Sequence, residues 1–188
     1  MKIEKLKNTA APIIMIYGEP GRGKTLLASK FPNPVWMAFE RGLPVGVSAD
    51  AIEGLNTFSS FIRGVTTLRD RHGVSVVLIA HSEIVRFDDP RAPTYSQYQP
   101  KLHKRARHLI LDACDAVFFL SEDLKVFVDD QGFKERVRAT STNQRFLHSE
   151  GCAAFVAKNR YAMPPKVAIP LDLNVGELTK YWTGEKRD

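Results

Sequence analysis

The apolar positions of this chain fall first into short unbroken runs and only later into alternation. Residues 12–17, Pro-Ile-Ile-Met-Ile-Tyr, form an apolar run bounded by Gly18, which predicts a buried strand of a parallel sheet. Residues 35–39, Val-Trp-Met-Ala-Phe, repeat the pattern and end at Glu40. Residues 74–80 give the strongest strand signal, and His81 follows directly. A further run spans 116–120. Between these runs the period changes. Residues 25–31 read as a short helix that Phe31-Pro32-Asn33-Pro34 ends. Phe58, Phe61, Ile62, Val65 and Leu68 share one face of a helix over 58–71, which Gly73 ends. Leu102, Ala106, Leu109, Ile110 and Ala113 do the same over 101–114. Residues 41–56 and 82–100 have weak period and read as loops. Later, 124–129 and 133–140 flank Asp130-Gln131-Gly132 as a β-hairpin. Residues 145–147 and 152–157 are further strand candidates, and a short helix is expected near 177–181. Strands alternate with helices through the first two thirds and antiparallel strands come late, so the class is α/β.

Composition narrows the setting. A chain of 188 residues suits one domain, 1–188, and 44% hydrophobic with 26% charged residues excludes wholesale disorder. No apolar run approaches the roughly 20 residues that span a bilayer, and the first residues show no signal-peptide stretch. The expectation is a cytoplasmic protein without a membrane partner. Cys114 and Cys152 lie far apart and form no CxxC pair, so a zinc site or disulfide framework has no support. The net charge of +6 permits a polyanionic partner without requiring one.

The chemistry is concentrated at Gly18-Glu19-Pro20-Gly21-Arg22-Gly23-Lys24-Thr25, which fits G-x-x-x-x-G-K-[ST]. Glycines permit backbone shapes that let successive N–H groups converge on phosphate oxygens. The helix that opens near Lys24 adds its positive end. Lys24 is expected on the β- and γ-phosphates of ATP, and the Thr25 hydroxyl on Mg²⁺. The motif follows a predicted strand and opens a predicted helix, the context that separates a phosphate loop from an incidental glycine turn.

With this loop, three further stretches resemble the phage-encoded RecA-like ATP-binding proteins of the Sak type, which are linked to single-strand DNA annealing and recombination. They are Pro32-Asn33-Pro34-Val35 to Glu40-Arg41-Gly42-Leu43, the block from Val76 to Leu120, and Ala157-Lys158-Asn159-Arg160-Tyr161. Within the block, Ile79-Ala80-His81-Ser82-Glu83 and Tyr98-Gln99-Pro100-Lys101-Leu102-His103-Lys104 are most characteristic. The resemblance implies a RecA-like P-loop NTPase fold, a mainly parallel sheet flanked by helices with a C-terminal antiparallel hairpin. It implies that Glu40 polarises the attacking water and that His81 senses the γ-phosphate. It makes residues 82–100 a DNA-facing loop, with Arg86, Phe87, Arg91, Tyr95 and Tyr98 joined by Lys101, Lys104, Arg105 and Arg107 of the next helix. Cations there would neutralise phosphates and rings would stack on bases. Lys158 and Arg160 are similar to a Lys-Asn-Arg-Phe motif of RadA-type recombinases, where basic residues reach a neighbouring subunit's nucleotide. That role requires a homo-oligomer, a ring or a filament. A phage single-strand binding protein is a further possible partner.

The pattern also departs from the family. A strand ending in the Walker B aspartate is expected between Leu43 and the 58–71 helix, yet residues 41–60 hold no apolar run ending in Asp. The region is expected to be internally shortened near 44–60, with a join around Thr57–Phe61, and Mg²⁺ to lose an outer-shell carboxylate. Three functions stay open on the residues: a DNA-dependent ATPase of annealing, a nucleotide-binding module that no longer hydrolyses, and a small-molecule P-loop kinase.

Overall fold

The computed structural model describes residues 11–31, 55–91, 93–131, 134–170, and Leu178 and Tyr181. The strand run 35–39, its Glu40 and most of the expected shortened region lie outside the described residues, as does most of the predicted 177–181 helix. The elements are β1 (Ile13–Gly18), α1 (Lys24–Ser29), α2 (Leu55–His72), β2 (Val76–Phe87), β3 (Tyr95–Pro100), α3 (Lys104–Ala113), β4 (Ala116–Gln131), β5 (Lys134–His148), β6 (Lys158–Asn159) and β7 (Lys166–Ile169). The helix α2 runs unbroken through Thr57–Phe61.

The strand order is β3-β2-β1-β4-β5-β7, with β6 also on β4. β1 pairs in parallel with β2 on one side and β4 on the other. Every other pairing between the described strands is antiparallel. The expected mainly parallel sheet is therefore a mixed one, parallel at its centre and antiparallel around it. Among the described residues, β2 pairs with β1 from Val76 to His81 and with β3 from Ser82 to Phe87.

β1 alternates its side chains between two cores. Ile14 and Ile16 join Leu27 and Phe31 from the α1 side, together with Phe118, Leu120 and Leu147. Ile13, Met15 and Tyr17 face Val65 of α2 and Ile110 of α3, with Val117 and Phe119. A strand covered on both faces reads as a continuous apolar run, as residues 12–17 do. On the helices, Val65, Ala106 and Ile110 are buried as expected, but Leu68 and Leu109 face out.

Three sequence expectations need correction. Residues 82–100 are not a loop: β2 continues to Phe87 and returns as β3, an antiparallel hairpin. Beyond Ser82 the strand leaves the core, so its residues need not be apolar, and the run of polar residues and prolines hid it. Its tip is tied by Asp89, which accepts from the Arg91 backbone N–H at 2.9 Å and guanidinium at 3.0 Å, and by Thr94 donating to Asp88 at 2.8 Å. Residues 152–157 are not a strand but make isolated bridges, Phe155 meeting Tyr98 and Cys152. Their apolar character comes from Phe155, whose ring stacks on Phe119 with centroids 5.0 Å apart. Strand β4 runs on past residue 120 to Gln131, so the predicted late hairpin is longer than its sequence signal. Among the described residues no helix is long and apolar enough to cross a membrane.

Candidate nucleotide-binding site

Residues 19–23 connect β1 to α1 at the carboxyl end of the parallel strands, where ligands of open α/β sheets bind. Gly18 stands level with His81 of β2 and Leu120 of β4. A Cβ on Gly18 would lie 2.3 Å from the Leu120 carbonyl oxygen, so the sheet closes there because the residue is glycine. Gly23 caps α1 at φ 85°, a left-handed conformation that a side chain disfavours, and its carbonyl accepts from the Leu27 N–H at 2.8 Å. These two positions turn the chain tightly enough to bring Lys24 back over the loop.

Lys24 is buried at 5% exposure. Its ammonium donates to the carbonyls of Gly18 at 2.9 Å and Glu19 at 2.8 Å, and lies 3.4 Å from His81 Nδ1. A buried ammonium needs such partners to offset lost hydration. His81, expected as a γ-phosphate sensor, thus stands beside the loop lysine. Thr25 is exposed at the start of α1. Arg22 braces the loop: it donates to Glu19 at 2.7 Å and pairs with Glu122 of β4. Tyr98 stacks on Phe119 with centroids 5.2 Å apart, and its hydroxyl lies 3.5 Å from Glu19. Burial, then the Glu19 carboxylate, raises the Tyr98 phenol above its usual value.

The remaining loop neighbour was not marked by the sequence. Arg145 of β5 lies against Gly23, and a Cβ on that glycine would meet its Nη1 at 2.7 Å. Register explains the placement, because Arg145 stands opposite Glu122, which reaches the loop through Arg22. Neither Glu122 nor Arg145 carries a local signal for this role; the pairing of β4 with β5 brings them together.

Magnesium is usually held by one or two protein groups together with substrate phosphates. Thr25, the residue expected at the ion, lies exposed in the first turn of α1, next to Lys24. The acids Glu19 and Glu122 are committed to Arg22, and among the described residues no three metal-ligating side chains gather. An ion here would be held by Thr25 and the nucleotide's own oxygens, with no carboxylate cage among the described residues.

The motif residues of the chain's later part lie elsewhere. Asp115, at the start of β4, accepts from the Ile13 N–H at 3.0 Å and from Arg160 at 3.2 Å. Arg160 therefore sits at the amino end of β1, opposite the loop, and keeps 55% side-chain exposure. Lys158 donates to the Leu111 and Asp112 carbonyls at 2.9 and 3.3 Å, closing the C-terminal turn of α3. Arg86, Lys101, Lys104 and Arg105 are exposed, Tyr95 is half-buried against Phe87, and Arg91 is tied to Asp89. The structure gives Arg107 a different place from the expected surface position. It is buried, paired with Glu83 at 2.7 Å and bonded to the Leu102 carbonyl, where it holds α3 onto β2.

A glycine loop closing from a central parallel strand onto a buried lysine, with a threonine next, defines a P-loop nucleotide-binding domain. The family comparison agrees from a different part of the chain. The model of a family described as an AAA domain matches residues 53–161, more than half of the sequence, and the chain belongs to that family. The matched span begins after the phosphate loop, so motif and family are independent lines to an ATPase-type nucleotide-binding domain. No curated protein and no solved structure matches the chain significantly.

Proposed function

We propose that this protein is an ATP- and Mg²⁺-dependent ATPase whose turnover is coupled to single-stranded DNA, serving strand annealing or recombination. One residue carries the reading. The His81 side chain lies at Lys24, while its backbone carbonyl accepts from the Lys101 N–H at 2.7 Å. The strand that ends the nucleotide site continues into the β2–β3 arm, whose return leads to the basic residues Lys101, Lys104 and Arg105. A change at the γ-phosphate has a covalent and hydrogen-bonded route to a cationic surface. The resemblance to Sak-type proteins supplies the choice of DNA as the polyanion and of phage recombination as the setting. Arg160, exposed at the amino end of β1, suits contact with a neighbouring copy's loop in a head-to-tail assembly.

A second reading, a module that binds nucleotide without hydrolysing it, draws support from the acids at the loop, both engaged by Arg22. Phosphate release assayed with and without single-stranded DNA separates the two. The ATPase reading expects DNA-stimulated turnover. Lys24→Ala is expected to lose turnover and to weaken ATP binding about tenfold to a hundredfold, the worth of charge-assisted bonds. Binding without turnover would select the second reading, and binding that Lys24→Ala leaves unchanged would remove both.

A further inference from the structure

We propose that Arg145 is a second cation of the phosphate site, contacting the nucleotide's phosphate chain from the β5 side, opposite His81. The inference rests on the nucleotide-binding reading and extends it to a residue that the phosphate-loop motif does not contain.

The positive charges around the loop are committed to different degrees. Arg22 lies within the motif but is neutralised by Glu19 and Glu122, so it acts as a brace. Lys24 is held by two carbonyls and His81. Arg145 differs from both. Its guanidinium lies against Gly23, one residue before Lys24, and among the described residues no hydrogen bond or ion pair engages it. Glu122, its cross-strand neighbour, is already paired with Arg22. Arg145 itself is only half-exposed. A half-exposed guanidinium with no counter-ion among the described residues leaves its donors to water, which a bound phosphate replaces with charge-assisted hydrogen bonds. Its planar fork suits phosphate oxygens in a bidentate contact.

The topology makes the placement specific. β1 is flanked by β2 and β4, so the loop can be approached from two sides. β2 delivers His81 from one side. The β4–β5 ladder delivers Arg145 from the other, its register fixed by Leu120 opposite Leu147 and Glu122 opposite Arg145. The phosphate chain would then lie between Lys24 and Arg145, with Gly23 allowing the close approach. A side chain at Gly23 would displace the guanidinium.

Calorimetry on the full chain tests this with two ligands, Mg-ATP and Mg-tripolyphosphate, the second having no base or ribose. Arg145→Gln is expected to weaken both by about tenfold or more, the value of a hydrogen bond to a charged group. Arg145→Lys, which keeps the charge but not the fork, is expected to fall between. Binding of both ligands within about twofold of wild type in Arg145→Gln would overturn the inference, since tenfold corresponds to the bond proposed. So would a loss confined to ATP, because that would place Arg145 on the base or ribose. Should Arg145→Gln fail to fold, the wild-type protein still decides. Mg-tripolyphosphate is expected to protect Arg145 from phenylglyoxal while leaving the exposed Arg86 reactive. Equal labelling of Arg145 with and without ligand would overturn the proposal. If wild-type protein binds neither ligand, the nucleotide reading itself fails; if it binds both and Arg145 is indifferent, only this inference does.

Discussion

From Ile13 to Tyr17 every residue of β1 is 0–2% exposed, whereas the neighbouring β2–β3 arm carries Ile84 at 63% and Phe87 at 39% exposure. Both belong to one sheet, and the β1–β2 pairing ends where Gly18 stands opposite His81. β1 is held by packing on two faces and is the platform from which the loop springs. The arm is held by its backbone ladder, by the Asp89–Arg91 and Asp88–Thr94 bonds at its tip, and by Arg107 on Glu83 at its base. At about 3.3 Å per residue, its six paired positions extend about 20 Å past the level of the loop. The lesson is a division of labour. Precision at the phosphate loop is set by burial, and reach toward a polymer is set by an element with little core of its own.

The sharpest way to break this comparison is to truncate the same side chain in both regions. Ile16→Ala removes a buried side chain of the α1-side core and is expected to cost about 2–5 kcal/mol. Ile84→Ala, on the arm, is expected to stay within about 0.5 kcal/mol. Urea unfolding measures both through the midpoint, with the slope checked for constancy. Equal losses would mean that the arm is packed against something in solution, and the division would fall.

The same division explains what the sequence disclosed. β1 and the loop were legible because burial on two faces leaves an unbroken apolar run and because the loop's conformation demands glycine at fixed places. The strand-end position of His81 was legible from the rule that sheets bind ligands at carboxyl ends. The arm was not legible, because residues 82–87 and 95–100 are paired while lying mostly outside the core, and so carry only a weak hydrophobic signature. Arg107 looked like a surface cation from its neighbours in sequence, and Glu83, its partner, is 24 residues away. Arg145 and Glu122 reach the loop through a register that shifts between Glu122 and Leu124, information held in strand pairing and not in local sequence. Asp115 likewise acts across 102 residues, on the Ile13 N–H.

A smaller effect sharpens the functional half of the comparison. If the arm and the residues after it meet DNA, their exposed cations contribute counter-ion release. Replacing Arg86, Lys101, Lys104 and Arg105 by alanine is expected to flatten the plot of log affinity against log salt by about 0.7 for each phosphate no longer neutralised. Anisotropy with a labelled single-stranded oligonucleotide measures this. Ile16→Ala protein, where still folded, is expected to keep the full slope. A slope that survives the four replacements would move the DNA surface elsewhere on the molecule.

The smallest effect comes from protons, and it again separates buried from exposed. Asp89 and His148 both have pKa values pulled down, for different reasons. Asp89 is lowered by hydrogen bonds from Arg91, whose own side chain is 87% exposed at the arm tip. Such an exposed pair adds little to stability. His148 lies on β5 with its ring 4.6 Å from Phe155 and its Nε2 2.8 Å from the Ser121 hydroxyl. Burial first, and then the charge of Lys166, lower its pKa below 6.5. Because the unfolded chain binds this proton more readily, the contribution of neutral His148 is complete above the unfolded value. It is lost as pH falls from there through the lower folded value. Thermal or urea unfolding between about pH 7 and pH 5 is therefore expected to show an acid-side loss that His148→Gln reduces and Arg91→Ala leaves in place. The opposite result, a loss erased by Arg91→Ala, would mean that the arm tip is desolvated and part of the core.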